Sequence, residues 1–586
     1  MKYDIIIKNG TVIDGSGAAG YAADAAVKDG VIAAVGRLDG AEAERVIDAS
    51  GRLVTPGMID MHSHADMNSW VYPEMESLLG QGVTSCFSGH CGLGVAPAYD
   101  WWIETGVESL AVNRVIPPIL GGSYMPGFNR IVEKSAVQEA VRKYMDVDIG
   151  WTTYAEYLDH MERLGQGCNI SFNAAHSQLR TGITGLDWER ELSAEELELE
   201  KQRLRECFEA GAWGVSLGFD YKPGTWTPYS EALELAKVAA EYDRVVCAHT
   251  QQNYRARCGA ANDRLRPMDG YRELMEIGLA SGARVHISHI VNGYEMIPDD
   301  EAGARASVEA TLAVIEEYRA KGVRVTWDVL QDNRYAGFFH YPLLATRFYA
   351  YIKDCGGMGA FARTLGYQSY RRAIHEEVTG GRHRAVSPFL RIGEDFAALK
   401  ALKVQGKTLE QWGEEMGTDA LYAALELLHR NPAVIAVAER KVPQKFGLIA
   451  DLFSMREDAA IGIDSDMYNY DVHQSWGEDM PWECGTPKAF CSYAGFLERR
   501  IMTPEEYMRR LCGNAARAAG FERRGLIREG FHADLLVLDW DNIRANASNE
   551  KPASAPDGFD CVIVNGRVAV DHKKHLNPLS GQILRK

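Results

Sequence analysis

A small set of residues has the types and spacing for metal chemistry. Asp60-Met61-His62-Ser63-His64 follows the apolar run 53–59, and alternate strand residues point the same way, so His62 and His64 face one side together. His249 ends Cys247-Ala248-His249, and His289 ends His286-Ile287-Ser288-His289, each just after an apolar run. Neutral imidazole is a common zinc ligand, and a catalytic zinc keeps one position open for water. Two metals at close range also need an anion between them. No lysine that could be carboxylated ends the third or fourth run, where Asn173-Ala174-Ala175-His176 and Leu217-Gly218-Phe219 stand. The candidate anion is Cys91, in Ser88-Gly89-His90-Cys91-Gly92, as a thiolate. A lone histidine at a strand end is more often a hydrogen bonder, and a lone cysteine a buried thiol. It is the joint occurrence that favours a ligand set. Gly462-Ile463-Asp464-Ser465-Asp466 adds carboxylates able to take a proton from a water and pass it to a leaving amine. Asp464 and Asp466 fall on one strand face, so spacing alone does not choose between them, and either could instead cap a helix.

The elements that must position these residues are legible in outline. Eight short apolar runs (53–59, 83–87, 170–174, 213–218, 245–248, 285–288, 323–329 and 460–463) alternate with helix-patterned stretches such as 195–210 and 307–321. This α/β alternation predicts a (β/α)8 TIM-like barrel over 57–524, whose active site gathers at the strands' C-terminal ends; a doubly wound sheet is the alternative. The stretch 331–458 is too long for a loop, contains helices near 408–416 and 420–429, and is expected to be an inserted helical subdomain or lid. Short strands with turn punctuation fill both ends: Tyr3 to Lys8, Asn9-Gly10 and Thr11-Val12-Ile13 read as a hairpin, as do 561–564, Asn565-Gly566 and 567–570. Residues 1–56 and 525–586 are therefore expected to pair as one small β-sandwich domain.

Composition narrows the class. The 586 residues carry 63 Lys+Arg against 81 Asp+Glu, a net charge of −18 that argues against nucleic acid and anionic membranes as partners. Neither GxGxxG nor GxxxxGK[ST] is present, so a nucleotide site has no support. No apolar run approaches a membrane span, and the opening MKYDIIIKNGTVIDG lacks a leader's apolar core. Eleven cysteines without regular spacing are no disulfide framework, so a reducing, cytoplasmic location is expected.

Longer segments carry a family resemblance. They are PGMIDMHSHAD (56–66), GVTSCFSGHCGLGVAP (82–97), AHSQLRTGITG (175–185), WGVSLGFDYKPG (213–224), ISHI (287–290), IGIDSDM (461–467), RGLIREGFHADLLVLD and the final SGQILRK. In this order they resemble the amidohydrolase superfamily, in its D-aminoacylase (N-acyl-D-amino-acid deacylase) branch. The resemblance implies a metal-dependent barrel on a small β-sandwich. It implies a tight Zn²⁺ held by Cys91, His249 and His289, and a second, weaker metal position at His62 and His64. It makes Asp466, matching the Asp of the family's Ser-Asp-Gly although Met467 replaces the Gly, the general base and acid. The implied reaction is hydrolysis of an amide C–N bond by metal-bound hydroxide. Tyr221 matches a family Tyr near the substrate, and His176 and Arg180 match its His-x-x-Leu-Arg segment, so these three are the expected substrate contacts.

Three recognition segments depart from the family. Ile290-Val291 replaces His-Lys, Leu330-Gln331-Asp332 replaces Tyr-Pro-Tyr, and Thr250-Gln251-Gln252-Asn253 replaces Ile-Arg-x-Glu. A buried substrate carboxylate without a cation is costly, so Arg180, Lys222 or Arg334 would have to stand in for the missing Lys. The expected partner is a small-molecule amide, nearest to an N-acyl-D-amino acid; a homo-oligomer is open. A cyclic amide or ureide hydrolase of hydantoinase or dihydroorotase type is the rival enzyme, and a barrel without turnover the rival outside enzymes.

Overall fold

At Gly57 the backbone leaves one sheet and enters another. Leu53–Pro56 pairs antiparallel with Leu535–Leu538, whereas Met58–Ser63 runs parallel to Val83–Ser88. A Cβ at Gly57 would lie 2.0 Å from Thr84 Oγ1, so this crossing takes only glycine. The single apolar run 53–59 is thus two strands in two sheets. The structure is a computed structural model. It describes the chain except residues 1, 105–122, 125–129, 221–222, 252–266, 291–299, 331–337, 342–343, 381–398, 433, 435, 440–443, 472–485, 549–550 and 552.

The sheet on the near side of Gly57 has nine strands and uses both ends of the chain. Its path runs Lys574–His575, Arg567–Asp571, Phe559–Val564, Leu535–Leu538, Leu53–Pro56, Tyr3–Val12, Tyr21–Lys28 and Val31–Gly36, with Ala43–Asp48 beside Tyr3–Val12. Ile5, Ile7, Val54, Leu535 and Ile563 share a core beneath it. Asn565 and Gly566, both at positive φ (48° and 76°), make the tight turn their types suit. Asn9-Gly10 does not turn the chain. Tyr3–Val12 is one strand with a register shift between Ile7 and Gly10, because left-handed Asn9 (φ 64°) forms a bulge and donates its N–H to Asp24 Oδ1 at 3.0 Å.

Beyond Gly57 the architecture is α/β. Met58–Ser63, Val83–Ser88 and Asn169–Phe172 form one parallel sheet. Ala174–Ala175, Gly214–Gly218, Val245–His249, Arg284–Ile287, Val325–Leu330 and Ala460–Gly462 form another. Backbone bonds link the two: Asn173 N–H to Ser88 O at 3.0 Å, Trp213 N–H to Phe172 O at 2.9 Å, and Asp464 N–H to His62 O at 2.7 Å. Most of these strand residues are buried, as in a sheet covered on both faces. Helices Ala194–Ala210, Tyr229–Glu241, Pro267–Ser281 and Glu301–Ala320 lie between successive strands. The first begins at a Ser193/Glu196 capping box and stops at left-handed Gly211.

Within the expected insertion, Phe338–Tyr341, Ala436–Glu439, Lys403–Val404 and Lys407–Thr408 form a small antiparallel sheet beside helices Leu409–Met416 and Ala420–Arg430. Phe361, Leu409, Leu421, Leu425 and Leu428 give this part its own core, so it is not helical alone. Helix Gln444–Ser454 lies against the main core instead, with Phe453 and Trp327 ring centres 5.8 Å apart. Among the described residues no helix is long and apolar enough to cross a membrane.

Candidate metal centre

The ends of five parallel strands deliver the donors. His62 lies on Met58–Ser63 and His64 immediately follows it, while His249 is the last residue of Val245–His249. Cys91 (φ 58°), His289 (φ 37°) and Asp464 (φ 55°) each sit just past a strand in left-handed backbone. Such residues cost energy and persist where their surroundings hold them. At Cys91 the next residue does so: Gly92 donates its N–H to Ser216 Oγ at 2.8 Å, and a Cβ there would lie 2.5 Å from Gly218 N.

The donors converge in two groups that share one sulfur. Cys91 Sγ is 3.3 Å from His289 Nε2, 3.8 Å from His249 Nδ1 and 3.4 Å from His62 Nε2. Asp464 Oδ1 is 3.1 Å from His64 Nε2 and 3.3 Å from His62 Nε2. Cys91, His249 and His289 form one candidate metal group, and His62, His64, Cys91 and Asp464 a second; His62 also falls in a third, with His90 and Asp328. Tetrahedral zinc with bonds of about 2.0–2.3 Å needs donor–donor separations of about 3.3–3.8 Å. Most of the spacings fit; His249 Nδ1 and His289 Nε2, at 2.8 Å, are closer than that edge and would have to open slightly. The N/S/O donor types suit Zn²⁺. The histidines and Cys91 are buried, and the Asp464 side chain is 26% exposed.

Burial and neighbouring charges pull these groups in opposite directions. Burial would raise the Cys91 thiol, but the His289 and His62 rings outweigh it and hold Cys91 well below the usual thiol range. Burial would lower His62, yet Asp328, Cys91 and Asp464 together push it well up. His249 is raised to about 9 against the pull of burial, by its bonds to Asp220 and Cys91. Asp464 is held well below its usual range, burial being overcome by Lys488 and His62. A cation binding here would compete with protons for the same imidazole and thiol donors.

Two carboxylates that the sequence reading did not single out support the donors from behind. Asp220 Oδ2 lies 3.3 Å from His249 Nε2, and Asp328 reaches His62 Nδ1 at 3.1 Å. Asp328 had one available signal, a carboxylate inside the apolar run Val325–Leu330.

The remaining expected residues divide. Asp466 joins neither donor group; its Oδ2 accepts from the Tyr468 hydroxyl at 3.2 Å. Arg180 is fully buried and donates to Glu231 Oε1 (3.1 Å) and to the carbonyls of Trp188 (3.2 Å), Arg190 (2.5 Å) and Trp226 (3.3 Å). Each of its three guanidinium nitrogens thus has a protein acceptor. His176 Nε2 lies 3.1 Å from Glu231 Oε1 and 3.4 Å from Glu200 Oε1. His176, Glu200 and Glu231 have donor atoms close enough for a cation, but Arg180 already brings positive charge to Glu231, so we read the group as an internal ion network. Tyr221, Lys222 and Arg334 lie outside the described residues.

Comparison with known proteins gives similarity in sequence and in fold. The Amidohydrolase family pattern matches residues 45–118, which hold His62, His64 and Cys91. The chain is 26% identical over 590 residues to an N-acyl-D-glutamate deacylase of Alcaligenes xylosoxydans xylosoxydans, covering 100% of this chain and 97% of that one. It is 25% identical over 596 residues to the N-acyl-D-aspartate deacylase of the same organism, covering 99% and 95%. Its fold matches a crystal structure of N-acyl-D-glutamate deacylase from Bordetella bronchiseptica, complexed with zinc and a phosphonate inhibitor that mimics the tetrahedral intermediate. That match has a TM-score of 0.68 at 23% identity and covers both chains completely. By these matches the chain is similar to proteins of the amidohydrolase class. Within that class its similarity runs, over the whole length, to the D-aminoacylase branch.

Proposed function

We propose that this protein is a zinc-dependent hydrolase that cleaves the amide C–N bond of N-acyl-D-amino acids. The observation that carries the reading is the pair of donor groups joined at Cys91, in a chain alike end to end to two such deacylases. Cys91, His249 and His289 would hold the tighter metal, and His62 and His64 with Cys91 the weaker. Zinc, when bound, supplies Lewis acidity that polarises the acyl carbonyl and makes water a better nucleophile.

Asp464 rather than Asp466 is assigned the proton transfers, because its Oδ1 meets the His62/His64 pair while Asp466 meets Tyr468. Asp464 takes a proton from the attacking water as the new C–O bond forms. It returns that proton to the amide nitrogen as the C–N bond breaks, releasing a carboxylic acid and an amine, which part as carboxylate and ammonium. Tyr221 remains the proposed substrate contact, and Lys222 and Arg334 the proposed cations for the carboxylate. His176 and Arg180 are assigned to supporting the helix His176–Thr184, whose Ser177 N–H bonds Gly92 O at 3.0 Å beside Cys91.

The same reading makes the parallel strands a closed (β/α)8 barrel, supported by the Asp464–His62 backbone bond between its last and first strands. It makes the two-ended sheet the small β-sandwich domain, the segment from 331 an insertion near the mouth, and the location cytoplasmic. The test is product formation, by mass spectrometry, from zinc-loaded protein. The panel holds N-acetyl-D- and L-amino acids beside hydantoins, dihydropyrimidines and uncharged amides. Turnover confined to N-acyl-D-amino acids, lost on chelation and regained with zinc, is expected. Turnover of rings or uncharged amides alone would transfer the assignment to that substrate class.

A further inference from the structure

Asp328 is a fully buried carboxylate on Val325–Leu330, and two of its hydrogen-bond partners, His62 and His289, belong to the candidate metal groups. Its Oδ2 lies 3.1 Å from His62 Nδ1 and 2.9 Å from His286 Nε2, and its Oδ1 accepts the His289 backbone N–H at 3.0 Å. An ionised carboxylate only accepts, so the ring nitrogens facing it carry protons. A proton on His62 Nδ1 leaves Nε2 as the nitrogen available to a metal. Nε2 is the atom that faces Cys91 Sγ at 3.4 Å and Asp464 Oδ1 at 3.3 Å. The other oxygen bonds the backbone of His289, which stands in left-handed conformation in the opposite donor group.

We infer that Asp328 is a positioning residue that fixes the metal-binding tautomer of His62 and, through its second oxygen, the pose of His289, tying the two metal positions together. The inference rests on the metal reading above. Asparagine at this position separates the two duties. Its amide oxygen can still accept the His289 N–H, which has no tautomer to change. Its amide NH₂ then faces His62 and His286, whose rings can change tautomer. His62 answers that donor by moving its proton to Nε2, which closes the lone pair a metal needs. His286 can make the same change and donate from Nδ1 to Thr326 Oγ1, 2.8 Å away. The Asp328→Asn protein therefore keeps its hydrogen bonds while the His62 position is blocked. Asp328→Ala leaves the His289 N–H without this acceptor and disturbs both positions.

The experiment is zinc titration against a competing chelator for the unsubstituted protein, Asp328→Asn, His62→Asn, the double variant and Asp328→Ala. Asp328→Asn is expected to weaken the weaker zinc step roughly 10–100-fold, the usual effect of losing a ligand's hydrogen-bond partner, and to spare the tighter step. Adding His62→Asn should cause no further loss, whereas Asp328→Ala should weaken both steps. An unchanged weaker step in Asp328→Asn, or losses that add in the double variant, overturns the inference. So does a single zinc step in the unsubstituted protein that His62→Asn leaves alone. Failure of the unsubstituted protein to bind zinc at all is a different result and removes the metal reading itself. If Asp328→Asn does not fold, ¹⁵N-histidine spectra of the zinc-loaded unsubstituted protein decide. A proton on His62 Nδ1 supports the inference, and one on Nε2 overturns it.

Discussion

Asp464→Asn against Asp466→Asn is the sharpest perturbation of the proposed chemistry. Asp464 Oδ1 stands 3.1 Å from His64 Nε2 and 3.3 Å from His62 Nε2, and the side chain is 26% exposed, so it meets both the donors and arriving water. Asparagine keeps the shape and an oxygen donor but accepts no proton at neutral pH. Losing a positioned acid or base costs roughly 10²–10⁴-fold in rate. That is about 3–5 kcal/mol in the barrier. Asp466 offers a smaller loss. An asparagine oxygen there can still accept from the Tyr468 hydroxyl, and losing the charge on that hydrogen bond costs about 1 kcal/mol, a few-fold in rate. The assay is kcat for the best substrate in the panel, with zinc content measured on the same samples. Full turnover in zinc-loaded Asp464→Asn, or a larger loss in Asp466→Asn, would refute the assignment and return the role to the residue favoured by motif alone.

Two further expectations test the scaffold. In Gly92→Ala the new Cβ would sit 2.5 Å from Gly218 N at φ +72°, so the Cys91 turn must shift, lowering both the melting temperature and zinc retention. Gly282→Ala, at φ +75° in open space, should cost only the left-handed term of roughly 1–2 kcal/mol and leave zinc in place; equal effects from the two would dismiss the contact argument. Hydrogen bonds from Arg190, opposed by partial burial and aided by the Ser193 N–H, hold the Glu196 carboxyl at about 2 rather than 4.5. Its contribution is whole above about pH 5 and drains away as the pH falls toward 2. Glu196→Gln should unfold at lower urea than the parent at pH 7, with the gap narrowing on acidification; a gap that widens would contradict the linkage.

What the sequence disclosed follows from which physical rules were local. His62 is readable because strand alternation and an apolar run are properties of a few adjacent residues, and Cys91, His249 and His289 because each follows such a run. Asp464 and Asp466 are not separable that way. The strand ends at Gly462 and Asp464 turns left-handed, so period-two spacing stops applying where the choice has to be made. The burial of Arg180 was hidden because its acceptors, at Trp188, Arg190, Trp226 and Glu231, come from beyond its own helix. Asn9-Gly10 carried a turn composition, but a Cβ at Gly10 would lie 2.4 Å from Val54 Cγ2. That packing, and the pairing with Tyr21–Lys28, kept the chain running straight.

The three left-handed residues, Cys91, His289 and Asp464, change the direction of the chain at the donor itself. In engineering terms each donor sits in a socket at the end of its own strand. A centre built on such joints has its geometry written into the parallel strands.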